Sequence, residues 1–95
     1  MGQRKYPPLT QSEVVAILRT LGFTMVREES SHAHYEAQAC KVYPRSLVTV
    51  DTKYREFDDE RIKNMIQQSK RSRDLFYGAT KGTARKAGVA FVKPE

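Results

Sequence analysis

Little in this chain can cross-link, anchor or export it. Of its 95 residues one is a cysteine, Cys40, so no disulfide can close within it, and no metal-ligand partner stands at useful spacing. A buried or half-buried thiol is the expectation there. No apolar run approaches the ~20 residues that a membrane helix needs. The first ten residues hold Arg4 and Lys5 without the apolar stretch of a secretion signal. These absences argue against a disulfide scaffold and a membrane partner, and predict a soluble, cytoplasmic domain with one small core. Acid is scarce in one place only. Residues 1–60 carry eight Lys/Arg against nine Asp/Glu, whereas residues 61–95 carry nine against two. A basic block of that kind is a footprint for polyanions, most often nucleic acid. It also contains Leu75, Phe76, Tyr77, Val89, Phe91 and Val92, so it is not a plain disordered charge run.

Turn and helix signals divide the chain cleanly. Tyr6-Pro7-Pro8 is a stiff extended lead-in. Thr10 followed by Glu13 is a capping box, with Leu9 and Val14 at the staple positions around it. Val14, Ile17, Leu18 and Leu21 recur at helical spacing, and Gly22 supplies a left-handed residue to end the helix. Phe23 to Arg27 reads as a first strand, a second runs from the histidines to about Gln38, and Leu47 to Asp51 forms a third. Short connections make these an antiparallel meander, one face of which must be covered. A second helix supplies the cover: Asp58, Asp59 and Glu60 suit its first turn, and Ile62, Met65, Ile66 and Ser69 fall at i, i+3, i+4 and i+7. The expected order is α-β-β-β-α, an α+β fold in a single domain. Its core spans about residues 5–69, and a basic extension fills 70–95. Within that extension, Leu75 to Tyr77 either continues the helix or turns against the core. Gly78 to Gly82 reads as a flexible connection lacking the full phosphate-loop pattern, Thr83 to Gly88 as a short helix, and Val89 to Glu95 as a tail or an added edge strand.

The chemistry concentrates between Arg27 and Glu36, which holds both histidines. In an extended strand residues i and i+2 share a face, so His32, His34 and Glu36 line one side and Ala33, Tyr35 and Ala37 the other. Imidazole is the side chain best suited to take and give a proton near neutral pH. From spacing alone, two surface histidines on a polar strand face are the blander alternative.

Several of these segments, in one order and spacing, resemble the HicA (YcfA-like) family, the small toxins of bacterial HicAB toxin–antitoxin pairs. The matching residues are Lys5-Tyr6-Pro7-Pro8-Leu9-Thr10, Glu13-Val14, Leu18, Leu21-Gly22-Phe23, Ser31-His32 and Val48-Thr49-Val50, with a second helix over Glu60 to Gln68. The resemblance covers about residues 5–69. It implies a fold like the double-stranded RNA-binding domain, with two helices on one face of a three-stranded antiparallel sheet. It further implies endoribonuclease action on mRNA through the histidine of a Gly-Ser-His motif, and a HicB-like antitoxin as partner. That histidine is His32; His34 has no counterpart in the motif, and Ser30 stands where the motif has glycine.

RNA carries its own nucleophile, the 2′-hydroxyl, so cleavage needs only a proton acceptor or donor near the ribose and positive charge near the phosphate. His32 is the expected catalytic residue, with Ser31 and His34 as possible assistants. Arg27, Lys53, Arg55, Lys70, Arg71 and Arg73 are the expected RNA-binding cations. Neither a cofactor nor a metal site is expected, since two strand histidines and Glu36 make a poor ligand set. The competing expectation is an RNA-binding module of the same fold without catalysis.

Overall fold

A computed structural model describes residues 5–92. In chain order the elements are β1 (Leu9–Thr10), α1 (Gln11–Thr20), β2 (Thr24–Glu29), β3 (His32–Ala37), β4 (Ser46–Asp51), β5 (Glu56–Phe57), α2 (Asp59–Ser69), α3 (Arg73–Tyr77) and α4 (Lys81–Ala87). Strands β2, β3 and β4 form an antiparallel sheet in that order.

Helix α1 begins where its capping residues dictate. Thr10 Oγ1 accepts from the Glu13 N–H at 3.2 Å, while Glu13 Oε1 accepts from the Thr10 N–H at 2.8 Å. It ends in a Schellman motif: Gly22 has φ +95°, its N–H donates to Arg19 O, and the Phe23 N–H donates to Leu18 O at 2.8 Å. Phe23, expected in the first strand, is instead the buried residue that closes this motif. Glu13 also accepts from Lys86 Nζ of α4 at 2.8 Å. Partial burial works against its ionised form, but the bonds from Lys86 and Thr10 outweigh that and hold the carboxyl below its ordinary value.

Helix α2 follows the expected stripe, burying Ile62, Met65, Ile66 and Ser69. Its N-cap is Asp58, whose carboxylate accepts from the Arg61 N–H at 3.0 Å. The inward side chains of α1 and α2 join Ala33, Tyr35, Ala37, Val48 and Val50 in one apolar cluster. Both helices therefore bury their apolar faces with the same side of the sheet. β2 stands outside this arrangement: every residue in it is exposed, and its pairing with β3 shifts register between Met25 and Arg27.

The β1–β5 ladder, unforeseen in the sequence, pairs Leu9 with Phe57 and Thr10 with Glu56. It joins the approaches to α1 and α2. Cys40, expected to be at least half-buried, is exposed in the β3–β4 loop. Backbone bonds from Tyr43 and Val42, with the Arg71 charge behind them, hold its thiol below the ordinary value.

The largest departure concerns residues 70–92, expected as a basic extension outside a core of about residues 5–69. Phe76 and Tyr77 are fully buried within the main cluster, joined there by Ala79 and Ala87. Tyr77 Oη donates to Pro7 O at 2.8 Å, and burial, chiefly, pushes its hydroxyl pKa up. The Gly78–Gly82 stretch is a tight corner rather than a flexible connection. A Cβ at Gly78 would meet Ala90 O at 2.5 Å and Asp74 O at 2.7 Å, so only glycine admits the chain returning beside it. Up to Val92 the last stretch forms no strand, and the Val92 N–H donates to Gly78 O at 2.8 Å. The remainder of the expected tail, residues 93–95, lies outside the described residues.

Candidate functional site

A two-residue turn at Ser30 and Ser31 carries the chain from β2 into β3, and Glu29 pairs with His32. Ser30 has φ +52°. The left-handed backbone that a glycine would adopt freely is thus kept by a serine, at a cost of about 1–2 kcal/mol. The turn is tied to the far end of β4, because Ser31 O accepts both the N–H and the hydroxyl of Thr52, at 2.7 and 3.0 Å. This is the part Ser31 plays in the described structure.

The strand register then sets His32 opposite Asp51 and His34 opposite Thr49. His32 is exposed on the outer face, its side chain 49% accessible, with Nε2 3.8 Å from Asp51 Oδ2. Asp51 is itself held, its Oδ1 accepting the Lys53 N–H at 3.0 Å. Beside this pair lies an open cleft of about 220 Å³ where the β4 edge meets α2, lined by His32, Thr49, Asp51, Arg61, Asn64 and Gln68 above Phe57 and Met65. Arg61 is fixed at its mouth. Its guanidinium stacks 4.2 Å from the Tyr54 ring, and donates to Tyr54 Oη at 2.8 Å and to Asp58 Oδ2 at 2.9 Å. A carboxylate-backed imidazole next to a held guanidinium can move a proton beside a bound phosphate.

His34 belongs to a different depression on the same face, with Val26, Arg27, Arg45 and Leu47. Its side chain is only 16% accessible, hydrogen-bonded through Nδ1 to Thr49 Oγ1 at 3.1 Å and with Nε2 3.6 Å from Glu29. Arg27 lies there too, ion-paired with Glu29 at 3.3 Å. The two histidines share a face but not a site.

The expected cations separate into two groups. Lys53, Arg55 and Lys70 are exposed, the first two in the loop that follows Asp51. Arg71 and Arg73 are committed within the fold, which corrects their expected role on an RNA backbone. Arg71 is 9% exposed, 4.0 Å from the Tyr43 ring and 5.1 Å from that of Phe23, and donates to Ser69 O at 2.9 Å. Arg73 bonds Lys5 O and Ala87 O and pairs with Asp74. Asp51, Arg61, Asn64 and Gln68 join the candidate site only through the tertiary structure. Three of them carried a signal: Arg61, Asn64 and Gln68 fall at i, i+3 and i+7, a polar stripe flanking the buried one.

No three His, Cys, Asp or Glu side chains among the described residues converge as a metal would require. No described helix is long and apolar enough to cross a membrane. No protein-family model, curated protein or solved structure matches this chain.

Proposed function

We propose that the protein is a HicA-like toxin, a metal-independent endoribonuclease acting on mRNA in the cytoplasm and restrained by a HicB-like antitoxin. The observation that carries this reading is the exposed His32 ring with the Asp51 carboxylate against it, at a cleft that also holds Arg61. The sequence resemblance to that family centres on the same histidine. Two helices on one side of a three-stranded antiparallel sheet, with the histidine face left open, support a fold of the double-stranded RNA-binding type. Ser30 keeps the positive φ that a motif glycine would take at this turn.

In this mechanism a ribose 2′-hydroxyl attacks the adjacent phosphorus. The O2′–P bond forms, the P–O5′ bond breaks, and one proton leaves O2′ while another reaches O5′. His32 carries one of these transfers, Asp51 orients its ring, and Arg61 with Lys53 offsets the charge that develops on phosphate. Incubating wild type and His32→Ala with a labelled transcript in chelator tests the reading. Wild type should cut, leaving cyclic-phosphate ends, and His32→Ala should cut about 100- to 10,000-fold more slowly with its RNA affinity retained. Equal cutting by the two proteins rejects the assignment. RNA binding without cutting by either leaves the non-catalytic module.

A further inference from the structure

The proposed chemistry uses His32, Asp51 and Arg61 and leaves the α2 wall of the cleft without a role. Asn64 and Gln68 stand four residues apart on α2, hence on one face, and both line the cleft beside His32. Gln68 Oε1 accepts the Thr49 N–H at 3.1 Å on the β4 edge. That bond engages the acceptor end of the amide and leaves its Nε2, a donor only, free. The Asn64 side chain makes no hydrogen bond among the described residues, so its amide is free to accept. Phe57 and Met65 close the floor of the cleft, only 1% and 4% exposed. About 220 Å³ is below the ~300–1,000 Å³ of ordinary small-molecule sites, and suits one flat ring system.

A flat group with a hydrogen-bonding edge, on an RNA, is a nucleobase, and carboxamides pair most often with adenine, giving to a ring nitrogen and taking from the amino group. A base can reach such a cleft only when unpaired, as in a single-stranded stretch of RNA. Resting on the RNA reading above, we infer that the α2 wall is a base-recognition subsite: one unstacked adenine enters the cleft edge first, with Gln68 Nε2 donating to its ring and Asn64 Oδ1 accepting from its amino group. Asn64 is then the residue that determines where His32 acts.

The test uses the full chain and 2′-O-methyl uridine octamers carrying one central adenine, guanine, cytosine or no replacement. These cannot be cut, because the nucleophile is blocked. Fluorescence anisotropy should show the adenine octamer binding about 10-fold more tightly than the all-uridine one, as a bidentate base contact predicts. Asn64→Ala should erase that margin. Alanine suits an exposed helix position, so folding should be unaffected, and the wild-type Asn64 and Gln68 side-chain amide NMR signals provide a second measure by shifting with the adenine octamer alone. This pattern upholds the subsite even if the wild type proves unable to cleave a transcript. Equal affinities, preference for another base, a margin that survives Asn64→Ala, or no binding at all would each overturn it, even where cleavage is seen.

Discussion

Two basic regions meet the rest of this molecule in opposite ways. Along the α2 wall Arg61 holds its guanidinium on a tyrosine ring at the mouth of a cleft, still exposed to solvent. Beyond α2 three cations turn inward: Arg71 between Phe23 and Tyr43, Arg73 onto Lys5 O and Ala87 O, and Lys86 onto Glu13 and Pro8 O. Nine Lys/Arg against two acids in residues 61–95 therefore overstate the charge this part offers a polyanion. Arg73 and Lys86 tether α3 and α4 to the N-terminal lead-in. Net charge counts groups, whereas an anion responds only to those left accessible.

Removing the C-terminal unit breaks that comparison most severely. Truncation after Ser69 takes away Phe76 and Tyr77, and the remaining chain should lose cooperative urea unfolding; Phe76→Ala alone should cost about 3–5 kcal/mol. A truncated chain that still melts sharply would restore the view of an appended tail. Next in size, Arg71→Ala should cost about 2–3 kcal/mol in the same assay, through its lost ring contacts and the bond to Ser69 O, with RNA affinity unaltered in the folded fraction. Lys53→Ala should do the reverse: stability within ~0.5 kcal/mol, and a slope of log affinity on log salt shallower by about 0.7. Interchanged results for this pair would reverse which cations face RNA. Smallest is Ser30→Gly, which relieves the positive φ and should raise stability by about 0.5–1 kcal/mol by thermal unfolding, part of the relief being offset by glycine's greater freedom when unfolded.

The elements that could be read directly were those whose signals lie within a few residues of one another. Thr10 with Glu13, Gly22, and the stripe from Ile62 to Ser69 each specify a helix or its end through bonds spanning one turn. The alternation around His32 likewise separated the buried Ala33, Tyr35 and Ala37 from the outer face. What escaped were pairings across distance: Leu9 with Phe57, Tyr77 with Pro7 O, Arg71 with Phe23, and Asp51 with His32. None leaves a local trace. The candidate site was accordingly half legible, with the histidine found and its carboxylate, guanidinium and carboxamide neighbours missed.

By itself, then, the sequence determined the helices, the strand faces and which imidazole stands at the head of β3, because hydrogen bonds of short chain separation and side-chain periodicity act before any tertiary contact forms. Only the tertiary structure decided which charges remain free and which groups surround His32. Both depend on register and packing between segments tens of residues apart, where a cation's partner is an aromatic ring or a carbonyl on any of them.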